Sequence, residues 1–175
     1  MNKNKDHYPR LVNYFKNKDL RGKFCKIFDK KIKKKFNFKI REVNFSYNKK
    51  KGTLRGLHYQ DLPKNEDKFV CCIKGKVYDV VLNIKKITKN FLKHKSFILD
   101  EKMNEILYIP KGYAHGFQTL SKDTILVYFH SEDFDKKLDK GLYALNKSLK
   151  IKWPLKKKIL SNKDKNYNQH NFKGI

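Results

Sequence analysis

The sequence predicts an all-β barrel or sandwich. Three observations carry this: short apolar runs recur at close spacing, turn residues separate them, and no long stretch has a helical period. The runs are Leu54–Gln60, Phe69–Ile73, Val77–Ile84, Ser96–Leu99, Ile106–Ile109, Phe117–Leu120 and Thr124–His130. Between them lie Gly52, Pro63, Gly75, Pro110-Lys111-Gly112 and Ser121-Lys122-Asp123, residues that favour turns through fixed or permissive φ or through side-chain hydrogen bonds to their own backbone. Lys74-Gly75-Lys76 reads as a hairpin turn joining two strands. The Lys-rich stretch from Lys30 to Lys35 reads as a loop or short exposed helix. Residues 1–18 read as an irregular arm and residues 165–175 as a polar tail, and the indole of Trp153 is expected to anchor the segment before that tail.

A chain of 175 residues suffices for one domain with one core, and residues 1–175 are read as that domain. Aromatic residues make up 14%, which argues for a packed interior despite a formal net charge of +26. That charge invites a nucleic-acid reading, but arginine occurs only at Arg10, Arg21, Arg41 and Arg55. The remaining basic residues are lysines spread along the chain, often beside Asn, a pattern of solvated surface rather than of base readout by bidentate guanidinium groups. No apolar run approaches the ~20 residues needed to span a bilayer, and the polar first dozen residues do not resemble a secretory leader. Cys25, Cys71 and Cys72 lack the spacing of a metal knuckle, and adjacent strand residues point to opposite faces. The expectation is a reduced, cytoplasmic protein with structural thiols that binds neither nucleic acid nor membrane.

Strand alternation sorts the polar candidates. In Leu54–Gln60, Gly56, His58 and Gln60 are expected on one face and Arg55, Leu57 and Tyr59 on the other. Leu126, Tyr128 and His130 share a face, and His115, after a Pro-Lys-Gly turn, is expected at the mouth of a strand. Asp164 reads by itself as a cap or turn residue, and Lys68 is one lysine among many. A metal site of the kind small β-barrels carry needs two or three His plus a carboxylate, with His-x-His as its usual opening. Here that place reads His58-Tyr59-Gln60, so no metal is expected. Gly-rich phosphate loops, Gly-x-Ser-x-Gly elbows and His-Glu-x-x-His are absent.

Gly52-Thr53-Leu54-Arg55-Gly56-Leu57-His58-Tyr59-Gln60 and Ile109-Pro110-Lys111-Gly112-Tyr113-Ala114-His115-Gly116-Phe117 resemble signatures of the dTDP-4-dehydrorhamnose 3,5-epimerases. Asp19-Leu20-Arg21-Gly22, Lys68-Phe69-Val70, Gly75 to Val80, Trp153-Pro154 and Leu160 to Asp164 follow in that family's order. The resemblance implies a cupin-like β-barrel or jelly roll, a homodimer, no cofactor and no metal. It also implies a nucleotide-linked 4-keto-6-deoxy sugar as substrate, in deoxysugar or surface-polysaccharide synthesis. Hydrogens beside the ketone are acidic because the resulting carbanion delocalises as an enolate, so the reaction needs a base, an acid on the opposite face and a cation for the oxygen. By resemblance, His58 is the base, Asp164 the carboxylate orienting its imidazole, Tyr128 the acid and Lys68 the cation. Arg21 and Arg55 fall at diphosphate contacts, Asn44 and Gln60 in the substrate pocket, and His115 beside the sugar.

The chain departs from the family pattern at Lys26 (usually Glu), Glu42 (usually Gln), Phe134 (often Tyr) and Asn83-Ile84-Lys85 (Asp-x-Arg), and Ser46–Lys51 is one residue longer. Thymidine is the expected base. The alternatives are a mono-epimerase acting at C3 or C5 on another nucleotide sugar, and a non-catalytic cupin-like carbohydrate-binding module.

Overall fold

A computed structural model describes residues 8–167 and 172–175. Two five-stranded antiparallel sheets form a cupin-like jelly roll. The first has the order β1 (Arg10–Asn13), β9 (Glu105–Ile109), β6 (Lys68–Lys74), β11 (Thr124–His130), β4 (Glu42–Asn48). The second runs β12 (Asp139–Gly141), β5 (Leu54–Gln60), β10 (Tyr113–Thr119), β7 (Lys76–Asn83), β8 (His94–Asp100). A separate hairpin pairs β2 (Phe15–Asp19) with β3 (Gly22–Lys26).

Alternation places Val70, Cys72, Leu107 and Leu126 of the first sheet against Val77, Val81, Leu99 and Phe117 of the second. The opposite face of the first sheet is buried too: Phe69, Cys71, Ile106 and Tyr108 pack under Tyr14, Ile32 and Phe38. Burial on both faces is why Phe69–Ile73 and Ile106–Ile109 read as continuous apolar runs rather than alternating ones. Cys71 and Cys72 do fall in different clusters. Burial pushes their thiols up to about 11 and about 12, so both stay protonated and inert.

The structure corrects several sequence expectations. Lys74-Gly75-Lys76 is not a hairpin, because β6 and β7 belong to different sheets and the chain crosses the sandwich there. The described part of the supposed arm holds β1 and β2, with Arg10 opposite Tyr108 and Val12 opposite Ile106. Of the two readings of the Lys-rich stretch the short helix is the one that forms, as α1 (Lys30–Phe36): Asp29 caps it by accepting from the Ile32 N–H at 2.9 Å, and Ile32 and Phe36 turn one side inward. Five strands, β1 to β4 and β12, lie outside the predicted runs. The tail also packs, since Phe172 and Ile175 rest on the cluster of Leu54, Leu57 and Leu82; residues 168–171 of that tail and 1–7 of the arm lie outside the described residues. Trp153 anchors as expected, donating from Nε1 to the Ala144 carbonyl at 2.8 Å and meeting Tyr78 edge-on.

Candidate active site

Both sheets line one cleft. Two adjoining cavities of about 320 and 280 Å³ share Asn44 (β4), His58 (β5), Lys68 (β6) and His130 (β11). The first also takes in Gln60, Glu42, Glu66 and Phe134, and the second Arg55, Ser46, His115 and Tyr128.

His58 and Arg55 reach the same cleft, contrary to strict alternation. The register against β10 shifts: His58 faces His115 but Arg55 faces Phe117, so β5 carries one extra residue there. Gly56 makes this possible. Its φ is +107°, and a Cβ there would lie 2.6 Å from the Gly116 Cα and the His115 oxygen. The bulge returns Leu57 to the core and re-phases Arg55 onto the side of His58.

The Nε2–H of His58 donates to Asp164 Oδ1 at 2.7 Å. Asp164 is the third residue of α2 (Asn162–Lys165), whose start is capped by Ser161 Oγ accepting from the Asp164 N–H. Only 4% of the Asp164 side chain is exposed. Burial raises its pKa, but the His58 hydrogen bond and charge, with the Gly56 N–H and Ser161, outweigh it and hold the carboxyl below its usual range. With Nε2 committed as donor, Nδ1 of His58 is the nitrogen left to accept a proton.

Tyr128 stands across the cleft. Its hydroxyl is 3.0 Å from Ser46 Oγ, and its ring packs against those of His115 and His130. Burial pushes the phenol far above its ordinary range, with Ser46 opposing, so it is kept protonated as a proton donor must be. Arg55 Nε donates to Asn48 Oδ1 at 2.8 Å, which fixes the guanidinium at the cleft wall. Asn44 donates to Glu42 at 2.6 Å, and the same carboxylate accepts from the Phe134 N–H.

Two carboxylates escaped the sequence reading. Asp79 lies fully buried behind His115, whose Nε2–H donates to Oδ2 at 2.8 Å; burial raises this carboxyl and His115 opposes it. A lone Asp amid the apolar run Val77–Leu82 was the available signal. His115 sits in mid-strand and buried, not at a strand mouth. Glu66 holds Lys68 and His130, and nothing in its local sequence marks it.

The Gln60 amide donates to the Lys64 and Asp133 carbonyls and accepts from the Asp135 N–H, so it shapes the wall by pinning two loops. Arg21 is outside the cleft of its own chain. It sits at the tip of the β2–β3 hairpin, 90% exposed and paired with Asp19, with Lys26 on the same hairpin. Among the described residues, no three His, Cys, Asp or Glu side chains converge as metal ligands, and no helix is long and apolar enough to cross a membrane.

A basic imidazole, a protonated phenol and an ammonium around one cleft of a jelly roll fit the class of cupin-like isomerases that move protons on carbon. The chain belongs to the dTDP-4-dehydrorhamnose 3,5-epimerase family, whose profile matches residues 10–171. It is 37% identical over 150 residues to the dTDP-4-dehydrorhamnose 3,5-epimerase of Shigella flexneri, covering 85% of this chain and 83% of that one. Among solved structures it resembles the Bacillus anthracis 3,5-epimerase with TDP and pyrophosphate bound (TM-score 0.87, 33% identity, 91% and 93% coverage). It also resembles the Legionella pneumophila dTDP-6-deoxy-D-glucose-3,5-epimerase in complex with dTDP-4-keto-L-rhamnose (TM-score 0.84, 30% identity, 90% and 85% coverage).

Proposed function

We propose that this protein inverts C3 and C5 of a dTDP-linked 4-keto-6-deoxy-hexose. Nδ1 of His58 takes the proton from a carbon beside the ketone, and the electron pair of that C–H bond moves onto the C4 oxygen as an enolate. The Lys68 ammonium stabilises the developing negative charge. Tyr128 then gives its phenolic proton to the opposite face of the carbanionic carbon, and both groups exchange with solvent to reset. The same set acts at the second centre after the ring shifts in the cleft. Arg55 holds the diphosphate, Asn44 and His115 line the sugar's place, and no metal or cofactor takes part.

The observation that carries this reading is the His58–Asp164 pair facing a buried, protonated Tyr128 across a cleft fitted with a lysine. A carbohydrate-binding module has no use for that arrangement. Arg21 contacts diphosphate only if its hairpin reaches the cleft of a second copy. The exposed Phe15, Leu20 and Phe24 of that hairpin support a homodimer built this way.

Incubation with dTDP-4-keto-6-deoxyglucose in deuterated water, followed by NMR, tests the proposal. Deuterium at both C3 and C5 with both centres inverted is expected. Label at one centre identifies a mono-epimerase, and no label overturns the reading.

A further inference from the structure

The Glu66 carboxylate engages one cleft residue with each of its oxygens. Oε1 lies 2.9 Å from Lys68 Nζ, and Oε2 accepts from His130 Nδ1–H at 2.8 Å. The three side chains are 6%, 12% and 16% exposed for Glu66, Lys68 and His130, so the network is shielded yet opens onto the cleft. Its support is rigid. The loop carrying Glu66 is tied at Lys64 by Gln60, at the Asp67 N–H by Ser131 Oγ, and at the Asp67 carboxylate by the Lys111 N–H. Strand register completes it, since His130 lies opposite Lys68 on one side and Glu42 on the other.

Resting on the epimerase reading above, we propose that His130 is a further substrate-contacting residue, and that Glu66 is the positioning residue that presents both His130 and Lys68 to the sugar. With Nδ1–H given to Glu66, the His130 ring is fixed in one tautomer and Nε2 is left as its second polar atom. Among the described residues no side chain or backbone group is bonded to that nitrogen, and His130 lines both cavities. The ring stacks beside Tyr128 with centroids 6.2 Å apart, so Nε2 belongs to the part of the cleft where the proton donor acts. Glu66 is ionised: burial raises its carboxyl, but Lys68 and His130 together bring it below the usual range. It therefore supplies the counter-charge of a half-buried ammonium that is to meet an enolate oxygen. The other titratable groups lining the two cavities are Glu42, Arg55, His58, Tyr59, His115, Tyr128, Asp139 and Lys163.

The first test uses the wild-type protein. The ¹⁵N spectrum of its histidines is expected to show His130 as the Nδ1–H tautomer, with an Nε2 resonance that moves on adding dTDP-glucose, which has no ketone. An Nε2–H tautomer, or an Nε2 resonance unmoved while that of His58 shifts, overturns the assignment. The second test is Glu66→Gln, which keeps shape and removes charge. Its kcat is expected to fall by about tenfold or more at pH 8 with KM within about threefold. An ammonium without its counter-charge deprotonates more readily, so the alkaline limb of kcat/KM moves down by about one pH unit. Glu66→Asp, which restores the charge, returns the limb towards its wild-type position. A profile merely scaled down at every pH makes Glu66 a loop anchor and overturns the positioning role. Wild-type turnover in the same series decides the epimerase reading separately. If there is none, a His130 shift on dTDP-glucose still supports the contact, and its absence still removes it.

Discussion

At the scale of single residues, the proposed mechanism divides one reaction between His58 and Tyr128 on two faces of a ring. His58→Ala is expected to lower kcat by at least about a hundredfold, the usual contribution of a positioned proton-transfer group. Circular dichroism should stay native, because the side chain lines a cleft rather than the core. Tyr128→Phe leaves the base in place, so solvent deuterium still enters the substrate on its original face while net inversion falls sharply. Parallel loss of exchange and inversion, followed by NMR, counts against separate roles. Asp164 adds a pH dependence. Its folded carboxyl lies below the unfolded value, so the stability it contributes is present above that unfolded value and lost as pH falls through the folded one. Urea unfolding should therefore show wild type more stable than Asp164→Asn at pH 6, with the gap closing towards pH 3.

At the scale of elements, the bulge in β5 decides whether the site exists. The β5 backbone passes so close to β10 at Gly56 that a methyl group meets backbone atoms, which cannot rotate away. Gly56→Ala combines that clash with an unfavourable positive φ. It is expected to cost about 2–3 kcal/mol, which for a chain of this size lowers Tm by about 4–12 °C. Activity should fall further than stability, since Arg55 and His58 share the cleft only through the bulge. A scanning-calorimetry Tm unchanged within a degree or two overturns this account of β5. The short α2 is the second decisive element: its Ser161 cap fixes the turn that carries Asp164 under β5.

At the scale of the whole molecule, the formal net charge of +26 favours an anionic substrate. A diphosphate held by arginine is attracted over a distance that salt shortens, so affinity for a dTDP-sugar should weaken as ionic strength rises. Base discrimination needs buried polar groups that the wrong ring leaves unpaired. Glu42 already serves Asn44 and Phe134, and Lys26 offers only donors. The expected preference for the dTDP over the UDP sugar is about tenfold or less in kcat/KM. A thousandfold preference would show that other residues rebuild the thymine site. Prolonged dialysis against a chelator should leave turnover unchanged; activity lost and then restored by one metal would move the protein to a metal-dependent mechanism.

The strands at Leu54–Gln60 and Thr124–His130, the pairing of thiols with opposite faces and the anchoring by Trp153 were legible because each depends on local periodicity or on one large apolar side chain. Motif resemblance added His58, Tyr128, Lys68 and Asp164 as a set. The edge strand β4 was not legible: Glu42–Asn48 exposes Val43, Phe45 and Tyr47 and lacks the buried face that marks a strand in sequence. Nor were three relations between distant residues: the bulge that turns Arg55 towards His58, the crossing at Gly75, and the carboxylates Asp79 and Glu66 behind His115 and His130. Local sequence alone determined where the central strands run and which of their faces are apolar, because side-chain alternation is a property of each strand. Only the tertiary structure decided which polar groups meet, because 106 residues separate His58 from Asp164 and 64 separate Glu66 from His130, and it is the capped turn of α2 and the pinned loop before β6 that close those gaps.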